Sequence, residues 1–134
     1  MSQENVEFLL RAVAVANAGD IEAGAKLYHP HAELRDLQHP PDMPEILRGR
    51  SEIVASLERW LEALDSWTVE VLEYVDADPW VVSEVRWCAI GKDSGAPIEF
   101  RAAEATEVKD GQIVRQIAGY PDIATALADL GLEA

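Results

Sequence analysis

The chain has 134 residues, 49% hydrophobic and 27% charged, with 8 Gly and 7 Pro; this is the make-up of a soluble globular protein about one domain long, and it excludes disorder and fibrous repeats. The 11 Lys+Arg face 25 Asp+Glu, a net charge of −14 that repels phosphate backbones and anionic lipid and argues against nucleic-acid and membrane partners. One cysteine, Cys88, rules out an intramolecular disulfide and multi-cysteine zinc sites.

In chain order, Val6, Leu9, Leu10, Val13 and Ala16 recur at helical spacing and predict an amphipathic helix over 4–18. Gly19 closes it in the left-handed conformation, and Asp20 caps a short second helix over 21–28, stopped by His29-Pro30. Residues 33–37 alternate as a short strand, and 38–49, with Pro40, Pro41, Pro44 and Gly49, read as a loop. Ser51 is placed as the cap of a third helix, 52–64, whose Ile53, Val54, Leu57, Trp60, Leu61 and Leu64 form one stripe. From there the period changes. Segments 68–75, 81–90, 97–108 and 112–120 are strands, with Asp110-Gly111 as a hairpin turn, and a last short helix follows Pro121 and closes at Gly131. Helices followed by a strand meander predict an α+β fold, one domain over 1–134, with helices on one face of an antiparallel-rich sheet. The N-terminal Met1-Ser2-Gln3-Glu4-Asn5 is acidic where a secretory signal is basic, and Phe8 to Ala18 is too short to span a bilayer, so the expected location is cytoplasmic.

Two carboxylates stand out. Glu104 shares an alternating row with Ile98, Phe100, Ala102 and Val108, and a carboxylate on a buried face raises its own pKa or finds a donor. Asp36 is in phase with Leu34, so the two acids are expected to face each other across an interior, an arrangement able to move a proton on a substrate. The plain alternatives are an arginine-paired Glu104 and a solvated strand-end Asp36. Trp60 and Trp67 are core or cavity wall, and Tyr28, Gln116 and Tyr120 offer polar tips at apolar positions, as pocket donors do. Arg86 shares a face with Glu84 and Cys88 while Val81, Ser83, Val85 and Trp87 share the other, so either row fits an interior. His29, His31, Glu33 and His39 lack helical metal-ligand spacing, and no glycine-rich phosphate loop or nucleophile elbow is present; no metal or cofactor is expected.

Several phrases carry a resemblance: Asn17-Ala18-Gly19-Asp20, Leu27-Tyr28-His29-Pro30, Ala32-Glu33-Leu34-Arg35-Asp36, Arg48-Gly49-Arg50-Ser51-Glu52-Ile53 and Asp110-Gly111-Gln112-Ile113-Val114-Arg115. In this order and spacing the chain resembles the nuclear transport factor 2-like superfamily, in its SnoaL-like and ketosteroid-isomerase-like branch. The resemblance implies a strongly curved sheet, antiparallel-rich but mixed, wrapped around three N-terminal helices with a cone-shaped apolar cavity, and a homodimer through the outer sheet face. Small Ala103 and Ala105 on the outer row fit such an approach. It also implies that Asp36 falls where ketosteroid isomerases hold a proton-shuttling aspartate, and Glu104 near their neutral, enolate-stabilising acid. The family's oxyanion-donating tyrosine falls at Ala12, which cannot donate, leaving Tyr28 or Tyr120 to take over. A limonene epoxide hydrolase pattern fits less well, because one of its acids falls at or near Gly119. The resulting expectation is proton transfer, of isomerase or cyclase type, on a small apolar carbonyl or polyketide-like compound. Asp36 and Glu104 are its catalytic residues, and Tyr28, Trp60, Phe100, Gln116, Tyr120 and Arg86 its ligand contacts. The alternative is a non-catalytic module that binds a small apolar molecule.

Overall fold

A computed structural model describes residues 2–132. Helix α1 (Ser2–Ala18) is followed by α2 (Ile21–Lys26), strands β1 (Tyr28–Asp36) and β2 (Ile46–Arg48), and helix α3 (Arg50–Glu62). Four long strands come next: β3 (Leu64–Ala77), β4 (Trp80–Gly91), β5 (Pro97–Lys109) and β6 (Gln112–Tyr120). Helix α4 (Ile123–Asp129) ends the fold. The strands form one curved, unclosed sheet in the order β2-β1-β6-β5-β4-β3, antiparallel except where β1 runs parallel to β6. The α+β fold and mixed sheet expected from the sequence are present.

Local chemistry explains the element ends. Gly19 takes φ 69° at the end of α1, and the Asp20 carboxylate accepts the Ala23 N–H at the start of α2. Asp110 and Gly111 both take positive φ, 52° and 75°, as a two-residue hairpin between right-twisted strands requires. At the β5–β6 ladder the register shifts between Ala103 and Glu104, and Gly119 (φ 99°) is the extra residue. A Cβ there meets the Gln38 backbone N at 3.2 Å, so both conformation and space demand glycine.

The structure differs from the sequence reading in several places, among them α3, which ends at Glu62 so that Leu64, expected in its stripe, opens β3. Strand β1 begins at Tyr28, five residues earlier than expected, because α2 ends at Lys26 and the chain passes Pro30 as extended backbone. The proline-rich loop contains β2, three residues that pair with β1 from Glu33↔Arg48 to Arg35↔Ile46. Gly49, not Ser51, occupies the N-cap of α3; with φ 90° and no side chain it makes no cap bond, and Glu52 reaches back to the Arg48 N–H instead. The α3 stripe also narrows. Ile53 is buried and Leu57 and Leu61 face the interior, but Trp60 turns away and is 48% exposed.

Cross-strand pairs assign the faces, since residues directly opposite each other project from the same side of a sheet. Asp36, Ala118, Glu104, Ser83 and Tyr74 form one row across five strands on the concave face. Val81, Ser83, Val85 and Trp87 are therefore inward, and Glu84, Arg86 and Cys88 outward. Helices α1, α2 and α3 cover the concave side. Helix α4 covers part of the convex side, where Ala126 and Leu127 pack with Trp80, Val82, Ala103, Ala105, Ile117 and Tyr120. The small outer-row residues Ala103 and Ala105 thus lie under the chain's own last helix.

Candidate active site

Between α1, α2, α3 and the concave sheet lies a cavity of about 190 Å³. Its walls are apolar: Phe8, Leu9 and Val13 from α1, Leu57 and Leu61 from α3, and Trp67, Val69, Trp87 and Ile113 from the sheet. Asn17 and Trp67 fix the α1 wall to β3. The Asn17 amide donates to the Val69 carbonyl at 2.9 Å and accepts from the Val69 N–H at 2.7 Å, while the Trp67 indole donates to the Ala16 carbonyl at 2.9 Å. Because β3 is the sheet's edge, Asn17 supplies the partner that a further strand would otherwise provide.

The polar groups on the sheet side of the cavity come from three adjacent strands. Glu104 is enclosed by protein, and the surface it keeps faces the cavity. Burial alone raises its carboxyl pKa from 4.5 to about 7, with no hydrogen bond or ion pair to it among the described residues. Tyr28 donates its phenol O–H to Gln116 Oε1 at 2.8 Å, and Gln116 Nε2 donates to Thr106 Oγ1 at 3.3 Å. Burial, followed by the nearby Glu104 charge, pushes the Tyr28 phenol well above its ordinary range. Arg50 grips the Tyr28 carbonyl through Nε and Nη2 at 2.9 and 2.7 Å, tying the first residue of β1 to the start of α3. Asp20, at the α1–α2 junction, also borders the cavity. No lysine, arginine or histidine lines it among the described residues.

Of the eight site residues expected from the sequence, Glu104, Tyr28 and Gln116 are brought together here, and Trp67, expected as core or cavity wall, forms part of the wall. The other five lie elsewhere. Asp36 shares the concave row with Glu104 but is two strands away, roughly 10 Å at ordinary strand spacing, and outside the cavity lining. Its carboxylate accepts the Gln38 N–H at 2.9 Å, closing the turn after β1. Phe100, 50% exposed, stacks on Trp87 with ring centroids 6.2 Å apart, outside the lining. Tyr120 points to the convex side and donates to Asp129 of α4 at 2.6 Å. Arg86 is convex as well, paired with Glu70, and Trp60 is on the outside of α3. Thr106 and Trp87 were not singled out. Thr106 sits two residues beyond Glu104 in the same alternating row, which is the signal that locates it.

The His29 and His31 rings lie 5.6 Å apart, tilted by 43°, with the His31 N–H bonded to His29 Nδ1. Among the described residues no cluster of three or more His, Cys, Asp or Glu is arranged to hold a metal ion.

The profile of the SnoaL-like domain matches residues 9–116. No curated relative matches the sequence. Solved structures of similar fold include AclR, a hydroxylase candidate from Streptomyces galilaeus (17% identity, 98% of each chain covered, TM-score 0.76). An isomerase candidate from Bacillus subtilis is similar at 21% identity, covering 96% of this chain and 93% of that one, TM-score 0.72. A hypothetical protein with a ketosteroid isomerase-like fold from Catenulispora acidiphila, in complex with trimethylamine, is similar at 17% identity, with 95% and 94% covered and TM-score 0.73.

Proposed function

We propose that this chain, which belongs to the SnoaL-like domain family, binds a small, largely apolar compound in the α1–α3 cavity and moves a proton on it through Glu104. The observation that carries this reading is a carboxyl group with no partner, enclosed in an apolar cavity and poised to titrate at about pH 7. A general acid or base works best when its pKa lies near the operating pH. The substrate class that fits is a carbonyl or polyketide-like compound. Ionised Glu104 takes the α-proton as the enolate forms and, now protonated, returns it to carbon, while the aromatic walls Trp67 and Trp87 hold the flat apolar body of the substrate. No basic residue lines the cavity among the described residues, so an anionic substrate gains no countercharge there. Asp36 serves as a second proton site only for a substrate long enough to pass Ala118.

The alternative of a binding module without chemistry has one observation in its favour. The Tyr28 hydroxyl is committed to Gln116, and Ala12 offers no donor in its place.

Exchange of α-protons of a small cyclic enone into deuterated water, followed by NMR, separates the two readings. Wild-type protein is expected to accelerate exchange, and Glu104→Gln to lower the rate by about 10²–10⁴-fold, the usual share of one acid/base group. Exchange no faster than buffer, with the enone bound, selects the binding module. We further propose a homodimer, formed through the part of the convex sheet that α4 leaves open.

A further inference from the structure

We propose that Ser83 is a positioning residue for Glu104, its hydroxyl donating to the carboxylate when Glu104 is ionised. Ser83 is fully buried, 0% exposed, and its Oγ has no hydrogen-bond partner. A buried hydroxyl without a partner is rare in a folded protein and asks for an explanation. In the β4–β5 ladder Ser83 is directly opposite Glu104 and projects from the same concave face. Side chains so placed start from Cβ atoms about 4.5–5.5 Å apart, so a change of rotamer brings the two together. Each is the other's complement: Glu104 lacks a donor, and Ser83 lacks an acceptor.

The neighbours of Glu104 across the row and on β1 do not take this part. On the far side of Glu104 the row continues with Ala118, which has no donor. From β1, the Tyr28 hydroxyl is donated to Gln116, and Asp36 lies beyond Ala118 with its carboxylate on the Gln38 N–H. Asp20 caps α2 at the cavity's edge, and on β3 Tyr74, opposite Ser83, is 47% exposed. Helices α1 and α3 present apolar side chains to the cavity. Ser83 itself is absent from the cavity wall, so it does not touch a ligand and acts only through Glu104.

This inference rests on the reading of Glu104 as the proton-carrying group, and a substrate-free measurement tests each separately. Side-chain carboxyl ¹³C NMR titrates Glu104 in the wild type, in Ser83→Ala and in Ser83→Thr, with the amide spectrum reporting that each variant is folded. A hydroxyl that donates to the ionised form favours ionisation. Its removal is therefore expected to move the Glu104 midpoint upward by about half a pH unit or more, roughly a threefold change in the ionisation equilibrium, and threonine is expected to restore it. A midpoint unchanged in Ser83→Ala overturns the inference. So does a downward move, which means that protonated Glu104 donates to the serine. Titration of wild-type Glu104 in the ordinary carboxylate range defeats the reading of Glu104 instead, whatever Ser83 does.

Discussion

Glu104 is held in an environment that disfavours its own charge, and this has a consequence for stability as well as for chemistry. Its pKa rises from 4.5 to about 7 on folding, so between those pH values the folded state binds more protons than the unfolded one. Stability then falls as pH rises through this window, and the penalty is fully present above about pH 7. Glu104→Gln removes the ionisation. The variant is expected to match the wild type near pH 4 and to exceed it at pH 8 by about 3 kcal/mol at most, a ceiling that cavity water reduces. Urea unfolding at the two pH values measures the difference, and equal stabilities at pH 8 count against a buried, ionising Glu104. The position of this residue was legible because a carboxylate among Phe100, Ala102 and Val108 stands out in a period-2 row. Asp36 was legible in phase only. Alternation gives the face of a strand, but how far along it the helices extend depends on tertiary packing, and the cavity stops short of Asp36. For Arg86 even the face was undetermined, since both rows of β4 mix polar and apolar residues until pairing with β5 fixes them.

At the scale of elements, the regular segments followed from their periods, and the differences arise where a partner overrides local preference. Strand β2 exists because β1 offers it a ladder, and no pattern in Ile46–Arg48 announces that. The α1 stripe likewise rotates. Phe8 and Leu9 are buried while Leu10 is 50% exposed, because the helix meets a concave surface fixed by β3. Asn17 is the joint in that arrangement, its amide answering both the N–H and the C=O of Val69 at the sheet edge. Asn17→Ala leaves that edge unpaired at a part-buried site, and the expected loss is about 1–2 kcal/mol of stability. Faster amide hydrogen exchange at Val69, with the β4–β5 amides unchanged, marks the loss as local to this joint; uniform exchange across the sheet shows that Asn17 has no such role.

The whole molecule combines a charge of −14 with a convex sheet that is only partly covered, and these bear on association in opposite directions. Helix α4 seals Ala103 and Ala105 into its own core, so the close approach expected at those two alanines is already taken up within the chain. What remains open on β3, β4 and β5 is mainly polar, with Ile90 and Pro97 at one end. Arg86 pairs with Glu70 and Arg101 with Glu84, and Thr68, Cys88 and Glu99 flank them. Both arginines sit where a second copy would approach, and each compensates one of the acids on this face. A dimer through it therefore tolerates the molecule's overall charge once salt screens the remainder, which occurs over about 10 Å at 0.1 M. Light scattering at about 50 μM protein is expected to give twice the monomer mass at about 0.15 M salt and a smaller average mass at about 0.01 M, where screening reaches only about 30 Å. Arg101→Glu removes a positive charge and adds a negative one in each subunit, a change of −4 across the symmetric contact that also leaves Glu84 without its arginine, and is expected to return the protein to monomer at both salt concentrations. A monomer mass for the wild type under all these conditions removes the dimer, and a dimer indifferent to Arg101→Glu moves its interface off this face.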